Sequence, residues 1–148
     1  MTEPLGLAFV DTLDLRLSDA IESLHDYADL VTWAEATGAV TPTEAVSLRT
    51  AAAGDPAAAD AALRAALSLR EAGYRVLVAR LDRRAPDPRD VTVLDEHLGR
   101  SRERLVVADD GAVGVTRTSE GPPLEALLGP VAVDLARLLV DLEADLRT

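Results

Sequence analysis

Three dipeptides cut this chain into helical pieces: Thr41-Pro42, Asp55-Pro56 and Asp87-Pro88. In each, a side chain that accepts hydrogen bonds precedes a proline. A Thr or Asp at an N-cap accepts from the partnerless amides of a helix's first turn. Proline at the first helical position costs little, because its missing N–H would have had no partner there. Glu44, three residues after Thr41, closes a capping box and makes this the clearest of the three starts. Helices are therefore expected from 42, 56 and 88. Composition agrees. Hydrophobic residues are 48% of 148 but aromatics only 3%. The core must come from Leu, Val and Ala, and an Ala- and Leu-rich chain favours helix.

Apolar spacing extends the pattern. Leu5, Ala8, Phe9, Thr12 and Leu13 recur every three or four residues, which predicts a short helix over 5–15. Ser18 is a candidate cap for a second helix with the stripe Ala20/Ile21, Leu24, Tyr27/Ala28, Val31 and Ala34, ended by Gly38. The third helix carries Ala45, Leu48 and Ala52 and stops at Gly54. The fourth, 56 to about 83, shows Ala59, Leu63, Ala66/Leu67, Arg70, Tyr74, Leu77/Val78 and Leu81 on one side. Gly73 lies inside it, where glycine costs about 1 kcal/mol relative to alanine and permits close approach of a neighbour. Val91, Leu94 and Leu98 mark the fifth. Val131, Leu135, Leu138/Leu139, Leu142 and Leu146 give a strongly amphipathic last helix from Pro130, after the breaks Pro122-Pro123 and Gly129-Pro130.

Between them the period changes. Residues 105–108 and 113–117 are rich in Val and Thr, and Asp109-Asp110-Gly111-Ala112 separates them. That reads as a β-hairpin, since Asp-Gly supplies the positive φ of a tight turn. A lone hairpin is marginal in water, so it is expected to lie on the helices or recruit a strand. The expected fold class is α+β, mainly α: a single-domain helical core over 1–148, with six or seven helices and one small antiparallel β-hairpin or sheet.

The net charge is -11, and there is no lysine; 15 arginines are scattered among 26 carboxylates. Duplex binding needs clustered cations that displace phosphate counterions. The densest groups, Arg80/Arg83/Arg84 and Arg100/Arg102/Arg104, are small patches or solvated helix ends, so direct nucleic acid binding by this chain is not expected. No apolar stretch is long enough to span a bilayer, so no membrane partner is expected. No basic segment precedes an apolar run at the N-terminus, and the expected location is cytoplasmic. With no cysteine there are no disulfides or thiolate metal sites. No phosphate loop, nucleophile elbow, HExxH or EF-hand pattern occurs, so no catalytic residue, metal or cofactor is assigned.

Several stretches, in order, carry a resemblance: Phe9-Val10-Asp11-Thr12-Leu13-Asp14-Leu15-Arg16, Leu24 to Trp33, Leu69-Arg70-Glu71-Ala72-Gly73-Tyr74-Arg75, Asp109-Asp110-Gly111, Leu127 to Ala132 and Asp134 to Leu139. Together they resemble the N-terminal ABATE domain of the bacterial putative stress-induced transcription regulators. Arginine without lysine, beside abundant alanine, fits a high-GC bacterial source. The resemblance implies a regulatory domain followed by a cysteine-containing CGNR zinc finger that would contact DNA. The 148 residues hold no cysteine and only His25 and His97, so that finger is absent from them. Asp11 stands where the family usually has Asn, and Gly73 where a larger residue is usual.

Two constellations are candidates. Asp11, Asp14, Arg16, His25 and Asp26 form the best polar cluster; it serves either acid/base chemistry and ligand clamping, or capping and surface ion pairs. Arg70 lies one turn before Tyr74. With Trp33 these either line a small-molecule pocket, or pack as core beside a structural salt bridge from Arg70 to Asp11, Asp14, Asp26 or Glu71. The ligand-binding candidates are thus Asp11, Asp14, Arg16, Trp33, Arg70 and Tyr74. The leading expectation is a non-enzymatic ligand-sensing domain of a stress-response regulator. The alternatives are a homodimerisation module using the C-terminal helix, or a small enzyme built on the Asp/His cluster.

Overall fold

The structure, a computed structural model, describes residues 5–10, 13–14 and 21–147. Among the described residues there are six helices: α1 Leu5–Val10, α2 Tyr27–Ala36, α3 Pro42–Gly54, α4 Pro56–Leu81, α5 Pro88–Arg100 and α6 Leu128–Leu146. They are joined by two antiparallel strand pairs, β1 Leu13–Asp14 with β2 Ile21–Glu22 and β3 Ser101–Val107 with β4 Val113–Ser119, and by a single 3₁₀ turn, Pro123–Glu125. The mainly helical α+β class is as expected.

The three proline-led starts are all present. Thr41 accepts from the Glu44 amide at 3.1 Å while Glu44 accepts from the Thr41 amide at 2.9 Å. Asp55 accepts from the Ala58 amide, and Asp87 from the Arg89 amide. Asp55 also closes α3, so one residue ends a helix and begins the next. Gly38 follows α2 with φ +81°, the left-handed backbone that glycine accepts without strain.

The N-terminal expectations need correction. The helix predicted over 5–15 ends at Val10, and Leu13-Asp14 pairs as a strand with Ile21-Glu22. Ser18 and Ala20 lie outside the described residues. The next helix starts at Tyr27, because Asp26 adopts an extended backbone and accepts from the Asp29 amide at 2.8 Å. Pro130 does not start α6 either. It sits third in a helix that begins at Leu128, in the first turn, where its missing N–H has no partner to lose.

About 39 Å long at 1.5 Å per residue, α4 is the central post, and α1, α2, α3, α5 and α6 all pack on it. Its buried line is Ala59, Ala62, Ala66, Leu69, Arg70, Ala72, Gly73, Val76 and Ala79. It shares Ala59, Ala66 and Arg70 with the predicted stripe but is otherwise rotated from it. The larger Leu63, Leu67, Tyr74, Leu77 and Val78 are half-buried on the flanks, and Leu81 is exposed. The physical reason is close approach: helices draw nearest over small side chains, so bulk marks the flanks of the seam and alanine its centre. Leu24, Tyr27, Leu30, Val31, Leu124, Leu127, Leu128, Val131 and Leu135 complete the core with Phe9.

On α5 the inward face also differs from the prediction. Val91 and Leu98 are exposed, while Asp90 and His97 are buried, flanking half-buried Val93 and Leu94. Positions 90, 93, 94 and 97 are one helical face. It was masked because two of its four members are polar.

The hairpin has the expected turn, with Gly111 at φ +87° and the register Val107↔Val113 to Ser101↔Ser119. It does not lie flat on the helices. Its base is anchored through Glu120 N–H to Arg100 O at 2.8 Å and Arg100 Nη1 to Glu125 Oε1 at 3.1 Å. Leu105, Val106, Val107, Val113 and Val115 all stay exposed.

Candidate functional site

Around the second half of α4, the start of α5 and the linker 82–87, a groove of about 670 Å³ opens. Its apolar surface comes from Tyr74, Val78, Ala79, Ala85 and Val93, and its polar residues are Arg75, Arg84, Arg89, Asp87 and Asp90. The helix starts explain the arrangement. Asp87 is held at the N-cap, which places Arg89 and Asp90 in the first turn of α5, against α4.

The ion pairs are well formed. Arg75 donates from Nε and Nη2 to the Asp90 carboxylate, at 3.1 and 2.8 Å. Asp90 is buried, and hydrogen bonding to it raises the Arg75 pKa further above its usual value. Arg89 grips Asp87 at 2.9 Å, and these hydrogen bonds hold the Asp87 carboxyl below its usual range. Arg84 pairs with Asp82 at 3.4 Å. Each of the three guanidiniums along the groove is thus paired with one carboxylate, inside a chain of net charge -11.

A second set of contacts leads away from the groove. Arg80 Nη1 donates to the carbonyl of Arg84 at 2.7 Å. The same guanidinium binds Glu143 of α6 through Nε and through Nη2, the latter at 3.2 Å. Arg83, in the left-handed region at φ 58°, donates to the Leu146 carbonyl at 3.2 Å. Immediately before the groove-lining Tyr74, Gly73 lets α6 approach. A Cβ there would lie 3.3 Å from Leu135 Cδ2 and 3.8 Å from Leu94 Cδ2. The linker that borders the groove is therefore tied to the C-terminal helix at two points.

A second groove, of about 590 Å³, lies between α3 and β4 beneath the hairpin. Hydroxyls of Thr43, Ser47, Thr116 and Thr118 and the carboxylate of Glu44 line it, with Leu48, Val115 and Leu127. Among the described residues, no cationic side chain lines it. Elsewhere, buried His97 is held below the usual histidine pKa, first by burial and then by the Arg100 charge.

The structure places the sequence candidates separately. Asp11 and Arg16 lie outside the described residues, and Asp14 is described only as backbone of β1. His25 is exposed and contacts Asp29, while Asp26 caps α2. Trp33 packs on Phe9 with ring centroids 5.4 Å apart. Arg70 is buried, 3% exposed, and donates from Nε to Glu71 Oε2 at 2.8 Å, one of the partners nominated for it. Tyr74 lines the α4–α5 groove. Sequence reasoning did not single out Arg75, Asp90 or the Arg80–Glu143 pair. The signal available was Asp90, at i, i+4 and i+7 spacing with Leu94 and His97.

Among the described residues, no three His, Asp or Glu side chains converge as metal donors. Without cysteine, the residues present do not fit the zinc site that the resemblance implies for the neighbouring finger. No helix among the described residues is long and apolar enough to cross a membrane. No curated protein and no solved structure matches the chain. The family described as "ABATE: Putative stress-induced transcription regulator" does match, over residues 3–142. With nearly the whole length matched, the chain belongs to the ABATE family of putative stress-induced transcription regulators.

Proposed function

We propose that this domain is the ligand-sensing part of a transcription regulator, non-enzymatic, with α6 as its output element. The observation that carries the reading is the arginine link from groove to helix. Arg80 holds both the backbone of groove-lining Arg84 and the Glu143 carboxylate of α6. A ligand that draws on Arg84 therefore acts on a side chain that α6 also uses. It shifts the population between arrangements of α6 in proportion to its differential affinity for them. Contact with DNA is assigned to an attached module, because the acidic surface of this chain opposes phosphate.

The test is a metabolite library screened by thermal shift, followed by hydrogen exchange on the hits. A hit should slow or speed amide exchange in α6 of the parent protein, and Arg80→Ala should abolish that effect while the ligand still binds. A library with no stabilising compound, or a hit that leaves α6 exchange untouched, refutes the reading. A second reading, pairing of two copies through α6, draws on Val140, which is 69% exposed on that helix. Light scattering that shows a monomer at high concentration removes it.

A further inference from the structure

The second groove, between α3 and β4, runs along a free strand edge. β4 pairs with β3 on one side and has no second partner strand among the described residues. The ladder is closed at its ends by Glu120 N–H to Arg100 O at 2.8 Å and Ala108 N–H to Ala112 O at 2.9 Å. Bonded and non-bonded pairs alternate along an antiparallel ladder. The even-numbered residues therefore bond across the pair, and Val113, Val115, Arg117 and Ser119 turn their backbone N–H and C=O outward. Among the described residues, none of these outward groups has a partner. Such an edge is a template for another extended chain.

The lining of the groove shows what can lie on that edge. Val115, Thr116, Thr118 and Ser119 come from β4, and Ser101 alone from β3. Successive strand residues point to opposite faces of the hairpin. A lining drawn from both faces of β4 therefore follows its outer edge. The opposite wall is the first turns of α3, where the Thr43 and Ser47 hydroxyls carry no hydrogen bond among the described residues. A hydroxyl both donates and accepts, so this wall can serve the far side of an inserted backbone. Leu48, with buried Val40 and Leu127, supplies apolar contact. Glu44 is the one charged side chain lining the groove among the described residues. Its Oε1 accepts from the Thr41 amide, and its Oε2 carries no hydrogen bond among them.

We propose that this groove binds an extended peptide segment of a partner protein, added as a third strand on the β4 edge, with a Lys or Arg of the peptide beside Glu44. Main-chain hydrogen bonds supply the affinity; the apolar contact and the Glu44 carboxylate supply the selectivity. Charge favours a basic segment, because an acidic one would meet both Glu44 and the field of a chain of net charge -11. A third strand also completes a hairpin that is marginal by itself. This surface is separate from the α4–α5 groove and does not depend on a small ligand there.

The probe is a random heptapeptide library displayed on phage, with calorimetry on the enriched sequences as synthetic peptides. Enriched peptides should carry Lys or Arg. N-methylation of every second backbone amide should weaken binding about tenfold or more in one parity and much less in the other, since alternate residues face the edge. Those peptides are read on the parent protein, so the result stands whether or not a variant folds. Val115→Pro removes an outward donor and leaves the ladder to β3 intact, at an edge position that proline tolerates; it should cost a similar factor. Glu44→Gln keeps the capping box and should weaken basic peptides about twofold to fivefold. Strand addition is overturned if no peptide is enriched, if both methylation patterns are tolerated alike, or if Val115→Pro binds unchanged. Enrichment of acidic or uncharged peptides, or unchanged binding to Glu44→Gln, overturns the role of Glu44. A dimer in light scattering that Val115→Pro converts to a monomer puts a second copy on the edge and overturns the peptide as its occupant.

Discussion

Tyr27 offers the sharpest test of how the core is held. Its hydroxyl donates to the Leu124 carbonyl at 2.6 Å, tying α2 to the 3₁₀ turn, and the residue is 4% exposed. Tyr27→Phe removes the donor and leaves a buried carbonyl without it, at a cost of about 1–2 kcal/mol. For a domain of this size that is a fall in Tm of about 3–6 °C. The pH dependence makes the prediction specific. Burial, reinforced by the Glu125 charge, pushes the phenol well above its ordinary value of 10.0. Folded-state protonation is therefore favoured. This part of the stability is fully present below pH 10 and is lost as pH rises towards the folded pKa, by about 1.4 kcal/mol per unit. The deficit of Tyr27→Phe should thus close near pH 11. The measurement is unusually clean, because the chain has no lysine or cysteine and only one other tyrosine, Tyr74. Urea melts from pH 8 to 11.5, with phenolate absorbance at 295 nm, give both quantities. A deficit that stays constant with pH, or a Tyr27 phenolate that forms near pH 10 in the folded protein, refutes the reasoning.

Three further outcomes follow from the same geometry. Thr41→Ala opens the capping box of α3 and should cost about 1 kcal/mol in chemical denaturation. Gly73→Val drives a branched side chain into Leu135 and Leu94, where even a Cβ sits 3.3 Å from a methyl; it should destabilise by about 1–3 kcal/mol in the same assay. His97, held below the 6.5 of a free imidazole by burial, resists protonation only in the folded state. Its contribution is therefore present above pH 6.5 and lost as pH falls. Its NMR titration should have a midpoint under 6.5, and His97→Gln should flatten the acid side of the stability curve.

Sequence alone reached the family, the fold class and the helix starts, because those are local or ordered signals. A cap is two to four residues long, and its physics needs no tertiary partner. Thr41-Pro42, Asp55-Pro56 and Asp87-Pro88 each began a helix, and Asp110-Gly111 made its turn. The N-terminal boundaries were misread because periodicity alone was used there. Leu13 and Ile21 fit helical spacing, yet they lie in paired strands, Leu13 opposite Glu22 and Ile21 opposite Asp14, and the true cap is Asp26.

What only the tertiary structure decided is which face of each helix meets a neighbour. On α4 only the face of Asp60, Ala61, Arg64 and Ser68 is open to solvent and the large residues lie on the flanks, so a stripe of large residues could not reveal that the seam runs along alanines and Gly73. On α5 the buried face holds Asp90, whose polarity is offset by an arginine fifteen residues earlier on another helix. The groove and its tie to α6 depend on such pairs: Arg75 with Asp90, Arg80 with Glu143. Their partners are far apart in sequence and carry no local signature, since an arginine reads the same whether it faces water or a carboxylate. Local hydrogen bonding fixed where the helices begin, and the packing of distant side chains fixed what they jointly enclose.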